Sequence, residues 1–499
     1  MSKRPLSTAG DVERLLRQAG VAPPPVSPRG GGKPRTRWGR FRHALKLRLL
    51  WVLFCVAVAV FILFKLSTSQ VGDTPGHPAT ARDPRFGVVE AFAKPKDAAI
   101  LGVGWERMVF WWKSLQPTGP DSWNNFATAH DATINAELAA GRQIAGLLIN
   151  TPAWAASNPS AHDASPPKGL YLPYNDPNNY WGHFVGLIAK RYAGRIDDWI
   201  IWNEVNIPNG QFHTWAGSDA DYARLVQVAY QAAHAANPRA RIILAGDPYW
   251  YDHGALFVKL LTLLGADHTH DAYFDVVNLH LYSRPSDMAK IVAWYRATLA
   301  RFGLYKPIWI AETNAIPYDD SARMLPRGHF YASLDDQASF IVQAFAIDLA
   351  IGVRRVEVNR MVDGSDFTAG GEPFGLVRND GSVRPAFFAY RTVMDLFSGV
   401  TGGTQYLDPQ TGIYTVVLHK PGATLTVVWD QRPTAATARI PALGPTATVY
   451  DKFGQRSTVH AKNGFFSLPL WPATGNTNSA DPKDYVIGGS PLIVVQHSP

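Results

Sequence analysis

Trp199-Ile200-Ile201-Trp202-Asn203-Glu204-Val205-Asn206 sets the pattern that the rest of the chain repeats. Four bulky apolar residues stop abruptly at an amide beside a carboxyl, the pattern of a buried strand whose carboxyl end delivers polar groups into a cleft. Pro307-Ile308-Trp309-Ile310-Ala311-Glu312-Thr313-Asn314 repeats the same order, with Glu312 following Glu204 by 108 residues.

Working outward, short apolar runs alternate with longer amphipathic ones from Arg85 to about Leu396, as repeated strand and helix units do. The expected strands are Phe86 to Ala91, Arg107 to Trp112, Ile144 to Asn150, Trp199 to Trp202, Ile242 to Ala245, Val276 to His280, Ile308 to Ala311 and Val353 to Val358. Helices are expected at Tyr180 to Ala193, Asp219 to Ala236, Ala255 to Leu264, Met288 to Phe302 and Leu334 to Ile351. Eight such units predict an α/β fold of the closed (β/α)8 TIM-barrel kind over 85–396, with its site at the C-terminal strand ends. An open doubly wound sheet is the alternative, but it wants a glycine loop opening a helix. Gly102-Val103-Gly104 leads into a strand and reads as a turn. After Leu396 the helical period gives way to short alternating strands, including Tyr414 to Leu418, Thr424 to Trp429, Ala447 to Tyr450, Phe465 to Leu468 and Pro491 to Gln496. They predict a small β-sandwich over 397–499 packed against the barrel, with bracing the barrel the favoured role and glycan binding left open.

The chain has 499 residues, 46% of them apolar and 18% charged, with a net charge of +8. Residues 1–48 hold twelve Lys or Arg against two Asp or Glu, while the rest holds 36 bases and 38 acids. The positive charge therefore belongs to the tail, and the near-neutral body argues against a nucleic-acid partner. Residues 1–46 read as a basic cytoplasmic tail, too rich in Pro, Gly and Arg to fold alone, with a short helix expected at Asp11 to Gln18. Leu49 to Phe64 is free of charge and bounded by Arg48 and Lys65, so 47–66 is expected to be a transmembrane helix. The basic excess before it places the N-terminus in the cytoplasm and the remainder outside the cell. A cleaved signal peptide is the competing reading, disfavoured by the long preceding tail. Residues 67–84 read as a linker. The only cysteine is Cys55, which leaves no intrachain disulfide and no thiolate zinc cluster.

Two strand-end glutamates suggest glycosidic chemistry, in which paired carboxyls flank the scissile bond. Arg191-Tyr192-Ala193-Gly194-Arg195, followed by the strand and Trp202-Asn203-Glu204, resembles the fourth strand of retaining glycoside hydrolases of clan A. Pro307 through Glu312 resembles their seventh strand, and His280-Leu281-Tyr282 resembles their strand-six element. Asp221-Tyr222 leading to Ile243-Leu244-Ala245-Gly246, and Gln337-Ala338 leading to Gly352-Val353, are similar to family 39 and its neighbours. The resemblance covers 85 to about 395. It implies that Glu204 is the acid/base, that Glu312 is the nucleophile, and that Tyr282 contacts Glu312. The sequence departs from the clan at Val358-Asn359-Arg360-Met361, where an aromatic platform is common, and at Val205, where proline is common.

Close carboxyls repel, which favours a singly protonated pair that titrates as a unit. Asn203 is placed to donate to the sugar 2-hydroxyl, and Arg107 and Tyr282 are candidates to keep Glu312 ionised and aimed. His280 belongs to the same candidate set. Trp154 and Trp250, just beyond strands three and five, are candidate sugar-stacking residues, amid Trp111, Trp112, Tyr249 and Tyr251. Asp267-His268-Thr269-His270-Asp271 lacks the spacing of a catalytic zinc motif, and neither metal nor cofactor is expected. The sequence thus predicts a membrane-anchored retaining glycosidase, without a cofactor, acting on a cell-surface or extracellular polysaccharide. An exo-acting β-xylosidase on small glycosides and a catalytically silent, membrane-tethered glycan-binding protein are the alternatives.

Overall fold

The shortest barrel strand, β1 (Phe86–Val88), is buried along its length. The computed structural model describes residues 82–497 apart from 128, 209–212, 266–267, 323–331, 365–372, 474–476 and 479–480. The strands that follow are β2 (Trp105–Trp111), β3 (Gln143–Ile149), β4 (Asp198–Ile201), β5 (Arg241–Leu244), β6 (Val277–His280), β7 (Ile308–Thr313) and β8 (Arg355–Val358). Each pairs in parallel with its neighbour, and β8 returns to β1 with Phe86 opposite Val356. Two isolated parallel bridges, Ile243 to Val276 and Asp247 to Leu279, carry the seam between β5 and β6. The sheet is therefore a closed barrel, the form in which parallel strands buried on both faces keep no free edge.

Nine helices are described: α1 (Pro95–Leu101), α2 (Trp112–Leu115), α3 (Asp131–Ala139), α4 (Tyr180–Arg191), α5 (Asp219–Ala236), α6 (Ala255–Leu264), α7 (Pro285–Arg301), α8 (Leu334–Ala350) and α9 (Pro385–Phe397). Gly102 ends α1 with φ of 77°, so the glycine pair read as a turn is a helix cap. Reciprocal capping boxes start two of the long helices, Ser218 with Asp221 on α5 and Ser333 with Asp336 on α8. Tyr222 of α5 ties the helix to the sheet. Its hydroxyl donates to Ile201 O at 3.0 Å and accepts from Ala245 N at 2.7 Å, fixing the ends of β4 and β5 together.

The C-terminal part is antiparallel. A six-stranded sheet runs in the order β14 (Arg456–His460), β13 (Thr446–Tyr450), β18 (Leu492–His497), β11 (Ala423–Asp430), β10 (Ile413–Lys420), β9 (Gly402–Leu407). A second sheet pairs β12 (Ala436–Pro441) with β15 (Phe465–Leu470), and β16 (Thr477–Asn478) pairs with β17 (Asp481–Tyr485). Alternation divides the large sheet. Val428 and Val494 face Ile440, Phe466 and Leu468 of the small sheet, whereas Leu425, Val427 and Ile493 join the barrel's core. Gln343 of α8 makes this docking specific: its amide donates to Gly488 O and Gly489 O at 3.0 Å and accepts from Gly488 N at 3.1 Å. The sandwich is thus braced on the barrel through a buried, fully paired amide.

The expected tail and anchor, with residues 67–81 of the linker, lie outside the described residues. Among the described residues, no helix is long and apolar enough to cross a membrane.

Candidate active site

Backbone strain marks one end of the barrel. Glu90, Asn150, Trp202, Glu204 and Ser283 all have positive φ without being glycine, and they follow β1, β3, β4, β4 and β6. Such conformations cost about 1–3 kcal/mol each and persist where the surroundings over-determine them. Here the surroundings are a polar lattice at the C-terminal strand ends.

Glu204 follows β4 by three residues with φ of 44°. Its turn is held from two sides. Thr214 Oγ1 donates to Asn203 O at 2.5 Å, Trp202 Nε1 donates to Thr214 O at 2.9 Å, and Asn206 Nδ2 donates to Asp247 Oδ1 at 3.1 Å. Asp247 also accepts from Tyr295 of α7 at 2.5 Å. Burial pushes the Asp247 carboxyl up to about 7, against the downward pull of these two donors.

Glu312 lies on β7, 8% exposed. Arg107 of β2 reaches its Oε1 with Nη2 at 2.5 Å, and the Tyr282 hydroxyl donates to its Oε2. Burial alone would raise this carboxyl. The Arg107 guanidinium, then His280 and Tyr282, outweigh burial and hold it below the usual carboxylate range. Tyr282 is itself anchored, because Asn359 Nδ2 donates to its oxygen at 2.8 Å, and Asn314 Nδ2 donates to Asn359 O at 2.7 Å.

His280, at the end of β6, stands between the two glutamates. Its Nδ1 lies 2.7 Å from Glu204 Oε1 and 3.4 Å from Glu312 Oε2, while its Nε2 faces Arg107 Nη1 at 3.5 Å. Arginine only donates, so Nε2 accepts and Nδ1 carries the proton toward Glu204. The ring fits because position 246 is glycine: a Cβ there would sit 1.8 Å from Nε2. Asn203 is oriented by the same logic. Its Oδ1 faces Arg107 Nη1 at 3.5 Å, which leaves its amide nitrogen as the donor available to a ligand.

Glu204, His280 and Glu312 offer atoms that all lie within 4.8 Å of one another. That spacing would also suit a cation, but the guanidinium bonded to Glu312 opposes a second positive charge. Beneath the site, Glu357 of β8 accepts the Arg107 backbone N–H at 2.8 Å. Its other oxygen is buried without a partner, and burial pushes this carboxyl up to about 8.

The lattice opens into a cleft of about 390 Å³ lined by Glu90, Arg107, Trp111, Asn150, Asp163, Asn203, His213, Asn359 and Arg360, among others. Of the residues singled out from the sequence, the structure brings together Glu204, Glu312, Asn203, Arg107, His280 and Tyr282. It does not bring Trp154 or Trp250 to the cleft lining. Trp154 packs edge-on against Trp112 and Tyr180 and donates to Gln116 O at 2.7 Å, and Trp250 leans on Tyr249 with 41% of its surface exposed. Trp111 is the tryptophan that lines the cleft. Sequence reading gave no role to Glu90, Asn150, Asp163 or His213. In the histidine-rich loop, His270 stacks on Tyr273 at 4.7 Å and Asp271 pairs with Lys306; Asp267 lies outside the described residues.

No protein-family model matches the sequence, and no curated protein matches it. Solved structures share its fold. A family 39 glycoside hydrolase from the gut symbiont Bacteroides cellulosilyticus WH2 has a TM-score of 0.63 at 15% identity, covering 84% of this chain and 82% of that one. A glucosidase from Croceicoccus marinus has a TM-score of 0.56 at 13% identity, covering 85% and 98%. A monomeric β-xylosidase from Caulobacter crescentus CB15 has a TM-score of 0.54 at 13% identity, covering 83% and 97%. The chain therefore has the fold of clan A glycoside hydrolases, the barrel and its accompanying β-domain together.

Proposed function

We propose that the protein is a retaining glycosidase that cleaves β-glycosidic bonds by double displacement. The observation that carries this reading is the approach of the Glu204 and Glu312 oxygens to within 4.8 Å. Retaining enzymes hold their carboxyls about 5–5.5 Å apart, whereas inverting enzymes leave about 6.5–9.5 Å for a water.

Each residue then has a defined part in the two halves of the reaction. Glu312, kept ionised by Arg107 and Tyr282, attacks the anomeric carbon as the glycosidic C–O bond breaks, and the leaving oxygen takes its proton from Glu204. In the second half, the Glu204 carboxylate removes a proton from water, and that oxygen displaces Glu312 from the anomeric carbon. The Nδ1–H of His280 steadies the Glu204 carboxylate during the interval when it is charged. Asn203 donates to the 2-hydroxyl, an interaction that strengthens as the transition state forms. No cofactor enters this sequence.

The domain organisation belongs to the same proposal: a cytoplasmic tail over 1–46, a membrane helix over 47–66, a linker over 67–84, the barrel over 85–396 and the sandwich over 397–499. The charge asymmetry about Leu49 to Phe64 supports an outward-facing enzyme at the cell membrane, with a cell-surface or extracellular polysaccharide as substrate. The testing experiment is hydrolysis of aryl β-glycosides and polysaccharides by the full chain, beside Glu204→Gln and Glu312→Gln. The expected result is loss of turnover in Glu312→Gln, and in Glu204→Gln survival only on substrates with good leaving groups. Sugar binding that neither substitution changes, with no turnover by the parent chain, would instead establish a silent glycan receptor.

A further inference from the structure

The wall of the cleft formed by the ends of β1 and β8 carries an ion pair that the mechanism above does not use. Glu90 follows β1 with φ of 56°, and its carboxylate meets Arg360 Nη2. The two side chains are 22% and 31% exposed, respectively, and both line the cavity that Arg107 and Asn203 also line. This placement identifies the part of the substrate they face. A sugar with its anomeric carbon between Glu204 and Glu312 and its 2-hydroxyl at Asn203 would direct its atoms beyond C2 toward this cavity, which Asn203 also lines.

The chemistry of the wall is that of a donor beside an acceptor. Among the described residues Glu90 is the one side chain paired with Arg360, and Arg360 Nε is buried without a partner. The remaining guanidinium N–H groups thus lie next to the second carboxylate oxygen of Glu90. Neighbouring ring hydroxyls match that arrangement, because each can accept from the arginine or donate to the glutamate. Charge decides against an anionic sugar. The lining holds Glu90, Asp163, Arg107, Arg360 and His213; Arg107 is engaged by Glu312, Arg360 by Glu90 and Asp163 by Lys113, and His213 Nδ1 faces Ile207 O at 2.9 Å. No guanidinium is left over to neutralise a uronate.

We infer that Glu90 and Arg360 together read the C3 and C4 hydroxyls of a neutral glycone and discriminate against uronic acids. The inference rests on the glycosidase reading and adds the class of sugar to it. A hydrogen bond to a charged group is worth about tenfold to a hundredfold in selectivity.

The test uses the full chain with 4-nitrophenyl β-glucoside, galactoside, mannoside, xyloside and glucuronide, then 3-deoxy and 4-deoxy forms of the best neutral substrate. Glu90→Gln, Arg360→Gln and the doubly neutral E90Q/R360Q are measured beside it, with circular dichroism reporting the fold. The double variant matters because either single change leaves a charge unpaired. The wild-type chain is expected to lose at least tenfold in kcat/KM on each deoxy substrate and to turn over the glucuronide at least a hundredfold more slowly. In the variants the parent substrate falls to the level of its deoxy forms, so the deoxy penalty disappears. A deoxy penalty in folded E90Q/R360Q equal to that of wild type, or a glucuronide preferred by wild type, would overturn the assignment. Failure of wild type to hydrolyse any glycoside would instead overturn the glycosidase reading, and the assignment with it.

Discussion

At the N-terminal end of the barrel Asp198 meets Arg241 and Arg355; at the C-terminal end Glu312 meets Arg107 and Tyr282. The functional groups are nearly the same and the outcomes differ. Below, Arg241 forks onto both Asp198 oxygens at 2.6 and 2.8 Å, Arg355 adds a third bond at 3.1 Å, and the Arg355 guanidinium lies 4.5 Å from the Trp309 ring. Ion pairs and tryptophans fill the barrel, and the nearby strands keep regular backbone. Above, the same chemistry lies beside strand-end turns with left-handed φ, those of Glu204 and Ser283 among them, opens onto a cleft and leaves an amide and a carboxyl available to a ligand. A saturated pair seals the barrel, while a pair set beside strained turns and an open cleft stays available for reaction.

Damage to the two ends should have opposite effects. Glu312→Gln is expected to lower kcat by about four orders of magnitude or more while costing less stability than the loss of Asp198, since the amide still accepts from Arg107. Asp198→Ala should do the reverse: it strands the buried Arg355, costs about 3–5 kcal/mol in urea unfolding, and leaves kcat of the folded fraction within about twofold. If Asp198→Ala abolished kcat without loss of stability, the division between the two ends would be wrong. Tyr282→Phe removes one of the donors that hold Glu312 ionised and should cost roughly tenfold to a hundredfold in kcat, with KM little changed.

The smallest expected effect concerns pH. Glu357 holds its proton up to about pH 8 when folded, against an ordinary value of 4.5. Between those values the unfolded chain binds fewer protons than the folded one, so this group's contribution to stability falls as pH rises and levels off above about 8. Its slope is on the order of one kcal/mol per pH unit. Glu357→Gln, which keeps the acceptor for the Arg107 N–H, should flatten the decline in urea midpoint between pH 5 and 8. Asp247, raised to about 7, adds a residual slope of the same sign. An unchanged pH profile in Glu357→Gln would show that this carboxyl is already ionised in the folded state.

Much of this architecture was legible because burial writes period into sequence. The helices α5 (Asp219–Ala236) and α6 (Ala255–Leu264) fall where the amphipathic pattern puts them, and the barrel strands match to within a few residues. Strands β9, β12, β14, β16 and β17 were not anticipated. For β9 and β14 the reason is physical: they are the two edges of the six-stranded sheet, with no buried residue, so no alternation selects their residues. The site divides in the same way. Glu204, Glu312, His280 and Tyr282 sit at or just past strand ends, where an apolar run stops and a polar residue stands out. Glu90, Asn150, Asp163 and His213 reach the cleft through left-handed turns and loops, and nothing in local periodicity says where a turn will aim a side chain. Trp154 misled for a related reason: it stands just past a strand, yet its ring turns back into the aromatic cluster of Trp112 and Tyr180.

The place of β18 in the sheet bears on how the chain is made. Its residues pair with β11 on one side and β13 on the other, although β13 ends at Tyr450 and β18 begins at Leu492. A ribosome adding about 5–20 residues per second needs several seconds to cover that interval. During that time β11 and β13 each present an unpaired edge, and Val427 and Val428 lack their ladder partners Ile493 and Leu492. Chaperone capture, or pairing between neighbouring nascent chains on one message, competes with folding in that window. Slow codons between Tyr450 and Leu492 would lengthen the exposure, and translation that stops short of Leu492 would leave it permanent.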